Sequence, residues 1–254
     1  DGIPPTYTAA LLEPYLPSSE FGSNHYGKLM HEPEILADDL TNLDRLGLTV
    51  KIHATGDRAV RIALDAIEQA RKRNGDSSLR HEISHAELIH PEDLPRFASL
   101  NVAAEMCPIL WYPSPAVDAM FIAMGHRAKR MWPVRSLVES GALVFYGSDW
   151  PSVVPDTNPW PGIEAMVTRK DPYDRFKGTY WPEEAVDLAT AIRIFTINGA
   201  IAGKQAAETG SLEVGKAADF IILDRNPFKI PVTEIGDIEV LFTYIDGAEL
   251  WAKN

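Results

Sequence analysis

The chain has 254 residues, 45% of them hydrophobic and 24% charged, which suits one large α/β domain or one large and one small. That is too apolar for a disordered chain, and no stretch is apolar for long enough to span a bilayer. With 36 acidic against 24 basic residues the net charge is −12, which disfavours nucleic acid and anionic membranes as partners.

The single cysteine, Cys107, excludes an intrachain disulfide and fits a reducing compartment, with the cytoplasm as the expected location. The chain opens on Asp1-Gly2-Ile3-Pro4, with neither an initiator Met nor a charged-then-apolar signal, and reads as a cut start.

The first forty residues are rich in Pro and Gly and read as a long surface excursion. A helix follows near Glu34 to Leu46, on the spacing of Ile35, Leu36, Leu40 and Leu43, and Gly47 stops it. Leu48 to His53 is β-prone. Asp57 to Asn74 is a helix on the stripe Val60, Ala63, Ala66, Ile67 and Ala70, with Asp57 as candidate N-cap and Gly75 as stop. Arg80 to Ala86 is the second strand, and His90-Pro91 opens a short helix running through Phe97. Asn101 to Met106 is the third strand. A Pro- and aromatic-rich loop is expected from Pro108 to about Gly125, then a helix near Val134 to Ser140 and a fourth strand, Leu143 to Gly147.

Strands alternating with helices at this spacing indicate βαβ units and a parallel sheet, either half of a (β/α)₈ barrel or an open doubly wound sheet. No Gly-x-Gly-x-x-Gly follows any strand, which weighs against dinucleotide binding. Beyond a Pro-rich loop over 151–161, helices are expected near Gly162–Arg169 and Glu183–Thr196. After Gly210 the chain turns β-prone. Phe220 to Leu223 reads as a buried strand, and Val240 to Tyr244 and Ala248 to Trp251 flank the hairpin signal Asp246-Gly247. A boundary near residue 210 divides a domain over 1–209 from a small β domain over 210–254.

In parallel α/β folds function gathers at the C-terminal ends of strands. His53 ends the first strand, His85 the second, and Asp149 follows the fourth. Two imidazoles and a carboxylate suit zinc or another divalent ion, with a position left for water. Taken singly, a strand His is more often a hydrogen-bonded structural residue, and an Asp after a strand a cap; their coincidence at three strand ends carries the reading. His81 shares the His85 face but lies deeper, which makes it a supporting or core residue, while Glu82 and Ser84 are expected to face helices or a neighbour. His81-Glu82-Ile83-Ser84-His85 matches His-Glu-x-x-His literally, yet no helical stripe accompanies it and His90-Pro91 ends the segment. Trp111 and Trp150 sit in strand-end loops and either line a substrate pocket or cap the core.

The strings His53-Ala54-Thr55-Gly56-Asp57-Arg58-Ala59, Ile83-Ser84-His85-Ala86-Glu87-Leu88-Ile89 and Gly147-Ser148-Asp149-Trp150-Pro151 resemble those of the amidohydrolase superfamily, within it amidohydrolase family three, the N-substituted formamide deformylase-like subgroup. Asp1-Gly2 with Thr8-Ala9-Ala10-Leu11-Leu12-Glu13-Pro14-Tyr15 resembles the segment after that family's fourth barrel strand, and Gly210 to Phe220 its return to a small β-sandwich. The resemblance implies an α/β fold: strands five to eight of a distorted TIM (β/α)₈ barrel, plus part of a composite β-sandwich. It implies His53 and His85 as the strand-five and strand-six ligands of one or two metal ions, and Asp149 as strand-eight ligand, general base and then general acid. It implies hydrolysis of amide or other non-peptide C–N bonds in small molecules, and self-association as a homodimer. The family's first-strand His-x-His and fourth-strand lysine are not in the chain, so an N-terminal half of the same protein is expected either as another segment or as a part lost or trimmed away. Two rival readings are a non-catalytic scaffold of the same fold, and a lyase or isomerase on it.

Overall fold

The computed structural model describes residues 1–152 and 156–253; residues 153–155, within the loop expected over 151–161, lie outside it. The chain divides into two units, one of Asp1–Met106 with Ser114–Val144, the other of Cys107–Pro113 with Phe145–Asn254.

In the first unit the helical and extended periodicities become alternating elements. They are α1 (Pro33–Arg45), β1 (Lys51–Ala54), α2 (Asp57–Asn74), β2 (Glu82–His85), α3 (Leu94–Ser99), β3 (Ala103–Met106), α4 (Pro115–Met124) and α5 (Val134–Glu139). β1 pairs with β2 and β2 with β3, all parallel, with Lys51 opposite Glu82, Ala54 opposite His85 and Ser84 opposite Glu105. β4 (Leu143–Tyr146), whose first two residues belong to this unit, follows β3 in the sheet order.

One face of this sheet is core: Ala54, Ile83 and Ala104 are wholly buried. α2 contributes Val60, Ala63, Leu64, Ile67 and Ala70, all wholly buried, and ends at Gly75, whose φ of 87° a residue with a Cβ adopts only under strain. Its N-cap is Gly56 rather than Asp57, and the orphan N–H groups of Arg58 and Ala59 donate to the Ala10 carbonyl at 3.1 and 3.4 Å.

Three expectations for this unit need correction. The opening segment runs over the surface only from about residue 16 to 32, because Ala9, Ala10 and Leu11 are wholly buried and Tyr15 nearly so, with its hydroxyl donating to the Ala9 carbonyl at 2.9 Å. α1 buries Ala37, Leu40, Thr41 and Asp44, whereas Ile35 is 55% exposed. Its inner face turns around polar Asp44, so the apolar spacing misplaced it. The loop expected over 108–125 contains α4, where Pro115 follows the Ser114 N-cap, whose hydroxyl accepts the Val117 N–H at 3.4 Å; here proline starts a helix.

The second unit holds α6 (Trp160–Thr168), α7 (Leu188–Phe195), α8 (Ile197–Ala202) and an antiparallel sheet of β5 (Phe220–Leu223), β6 (Val240–Ile245) and β7 (Ala248–Ala252). The helix expected over Glu183–Thr196 starts late: Pro182–Glu184 is a 3₁₀ turn, and the Asp187 carboxylate caps α7 by accepting the Thr190 N–H at 2.8 Å. The β6–β7 hairpin turns at Asp246 and Gly247, with φ of 50° and 75°, the left-handed pair its sequence signal requires. β5 is not buried, since Ile221 and Ile222 are 46% and 41% exposed. Among the described residues no helix is long and apolar enough to cross a membrane.

Candidate functional site

His53 lies one residue before the end of β1 and His85 is the last residue of β2. Register puts His53 opposite Ser84 and His85 opposite Ala54, so strand alternation would send the two imidazoles to opposite faces. The backbone overrides this. His85 has φ of 69° and Ala86 of 43°, left-handed values that are uncommon without glycine and that gather at functional sites. The His53 and His85 rings meet edge to face with centroids 4.6 Å apart. The turn is held on both sides: the Leu88 N–H donates to the Thr55 carbonyl at 2.9 Å, and the Trp132 N–H to the Glu87 carbonyl at 2.6 Å.

Beneath the imidazoles the same sheet face is polar. Lys51 Nζ lies 2.5 Å from Glu105 Oε1 and 3.8 Å from Glu82 Oε2, and the Ser84 hydroxyl donates to Glu105. Glu82 and Ser84 therefore share the His53 face, and of the two expected surroundings, helices or a neighbour, they meet neighbours, Lys51 and Glu105 of the adjoining strands. Burial pushes the Glu82 carboxyl above its ordinary range and the neighbouring Glu105 adds to the rise, against the pull of Lys51.

His81 is wholly buried and ties the sheet to α1. Its Nδ1 accepts the Val50 N–H at 3.1 Å, which places the ring proton on Nε2, 3.0 Å from Asp44 Oδ1. Asp44 also takes Arg71 Nη1 at 2.7 Å, Ser77 Oγ at 2.7 Å and Asn74 Nδ2 at 2.8 Å. Burial works to raise this carboxyl, but the hydrogen bonds from Asn74, Ser77 and His81 and the Arg71 charge hold it below the usual range.

The remaining candidates lie in the second unit. Asp149 follows β4 with φ of 53°, and its carbonyl accepts the Ser152 N–H at 2.8 Å. Trp150, 54% exposed, precedes Pro151 across a cis peptide. Trp111 is wholly buried, with the Arg169 guanidinium 5.1 Å from its ring centre. Among the described residues no group of three or more His, Cys, Asp and Glu side chains could hold a metal ion; of the ligands expected from the sequence, His53 and His85 are brought together within the first unit. The chemistry of that pair, two imidazoles, suits a borderline divalent ion such as zinc.

A model of the amidohydrolase family matches residues 1–250. The chain belongs to that family. It is 32% identical over 251 residues to Protein LONG AFTER FAR-RED 3 of Arabidopsis thaliana, covering 99% of this chain and 42% of that protein. It is 31% identical over 226 residues to the N-substituted formamide deformylase of Arthrobacter pascens, covering 88% of this chain and 40% of that one. An uncharacterized metal-dependent hydrolase from Pyrococcus furiosus superposes with a TM-score of 0.71 at 29% identity, over 90% of this chain and 44% of the other. The chain thus spans less than half the length of these relatives.

The sequence missed Asp1. Its buried carboxylate lies 3.8 Å from His53 Nε2, and its hydrogen-bond partners are Ala10, Thr55 and Gly56, too far along the chain for any local pattern to announce.

Proposed function

We propose that the chain supplies strands five to eight of a distorted (β/α)₈ barrel over residues 1–209 and part of a composite β-sandwich over 210–254, in a hydrolase of amide or other non-peptide C–N bonds in small molecules. Zinc or another divalent ion would be held by His53, His85 and Asp149. The observation that carries this reading is the His53–His85 pair, brought to one face by the left-handed backbone at His85. An ion bound there lowers the pKa of water and polarises a scissile carbonyl. The chain's own residues supply the rest. His53 and His85 donate nitrogen lone pairs from neighbouring strand ends. An Asp149 carboxylate oxygen accepts a proton from the attacking water and returns it to the leaving amine. The name of the Arthrobacter relative makes N-substituted formamides the first substrates to assay.

In the full-length protein, Asp149→Asn lowers turnover by about 10²–10⁴-fold, the range for loss of a general acid–base, with the melting temperature little changed. Wild-type turnover in that variant would contradict the mechanism. Faster cleavage of dipeptides than of formamides would overturn the non-peptide assignment.

A further inference from the structure

The second unit holds a cavity of about 570 Å³ that the reading above does not use. It is lined by α6 through Glu164, by the segment 170–179 and by Thr233. Glu164 is only 3% exposed. Burial pushes its carboxyl above the ordinary range and the Asp237 and Asp171 charges add to the rise, against the Gly236 N–H. That N–H is donated to Glu164 Oε2 at 2.7 Å and ties α6 to the turn Val232–Asp237. The approach is close: a Cβ on Gly236 would lie 3.0 Å from the same oxygen and 3.5 Å from Pro172 Cβ.

The tie uses one oxygen of two. Glu164 Oε1 has no hydrogen-bond partner among the described residues, and protein does not seal it off, so it opens on the cavity that Glu164 lines. A carboxylate oxygen held in the interior calls for a donor, and a bound molecule can be that donor. The other acids of the lining are already matched. Asp171 accepts the N–H groups of Tyr173, Arg175 and Phe176 and the Arg175 guanidinium. Asp174 pairs with Lys177 at 2.7 Å, both of them at least 80% exposed. Lys170 is exposed as well. The Thr179 and Thr233 hydroxyls add further acceptors to the lining.

Such a space fits a positively charged hydrogen-bond donor. An anion would face an unpaired carboxylate oxygen. A bare divalent ion matches poorly, because it takes about six or more oxygens, and no group of three His, Cys, Asp and Glu among the described residues could hold one. The volume falls within the roughly 300–1,000 Å³ of sites for small organic molecules. We propose that this cavity binds a small organic ammonium compound, whose N–H groups donate to Glu164 Oε1 and to the threonine hydroxyls. The site stands apart from the metal reading, since none of its residues is a candidate metal ligand.

The test titrates full-length protein with n-butylammonium by calorimetry, beside n-butanol and butyrate as neutral and anionic probes of similar size. A crystal grown with n-butylammonium locates it. Wild type is expected to bind the ammonium saturably, at least about tenfold tighter than either other probe, as one charge-assisted hydrogen bond provides. Glu164→Gln keeps an oxygen for the Gly236 N–H but turns an uncharged NH₂ to the cavity. It should weaken ammonium binding by about tenfold or more, with the melting temperature little changed. Asp149→Asn, which alters the candidate metal site and not the cavity, should bind the ammonium as wild type does. No binding, equal affinity for the three probes, an ammonium lodged elsewhere in the crystal, full affinity in Glu164→Gln, or lost affinity in Asp149→Asn overturns the proposal. Probe selectivity and the position in the crystal need no variant, so they decide the matter even where Glu164→Gln does not fold.

Discussion

In the parallel sheet Ala54, Ile83 and Ala104 are wholly buried, while in the antiparallel sheet Ile221, Ile222 and Trp251 are 46%, 41% and 48% exposed. The strands are similarly short, but β5 and β6 are apolar almost throughout, where β1 and β2 mix apolar with polar residues. The difference lies in how their faces are used. β1, β2 and β3 give one face to a core, which frees the other for Lys51, Glu82, Ser84, Glu105 and the histidines at its rim. β5, β6 and β7 make no such division, and large apolar groups stand open to solvent. A run such as Phe220-Ile221-Ile222-Leu223 therefore announces a strand but not its burial, whereas alternation such as Lys51-Ile52-His53-Ala54 announces both faces.

This contrast can be broken by mutation. The largest effect is expected at the polar tie behind the parallel sheet. Asp44→Ala leaves Arg71 and His81 without their shared carboxylate, and removal of one partner from a buried ionic network costs about 3–5 kcal/mol, read by denaturant unfolding. The effect has a pH signature. The Asp44 carboxyl is held below its unfolded value, so its contribution is full above the ordinary aspartate range and fades as pH falls through the lowered folded value. The stability gap between wild type and Asp44→Asn should narrow on acidification; a gap that widens would contradict the network.

A matched pair sharpens the comparison further. Ile83→Ala in the parallel sheet should cost about 2–5 kcal/mol as a buried cavity, and Ile222→Ala in the antiparallel sheet less than about 1 kcal/mol. Equal losses in the two variants would mean that both sheets are packed alike.

The sequence made the supporting frame easier to read than the site. α2 was legible because its apolar stripe is continuous and a glycine ends it. His53, His85 and Asp149 were legible as candidates because position at a strand end is a local property. The facing of His85 was not, since strand alternation puts it opposite His53 and only the backbone at residues 85 and 86 reverses that. α4 was hidden because it is apolar nearly all round and Pro115, with Pro113 just before it, resembles loop punctuation. α1 was found but misfaced, because its inner face is built on Asp44, a residue whose burial depends on partners 27 to 37 positions away. Asp1 was missed for the same reason at longer range.

The most direct test of the account is the metal content of full-length protein purified without chelator, beside its His53→Asn and His85→Asn variants. The account predicts about one or more equivalents of zinc or another divalent ion per chain in wild type, as expected of a ligand set drawn from several strand ends, and loss of that metal in both variants without loss of fold. Metal retained in either folded variant, or no metal in wild type, would contradict it.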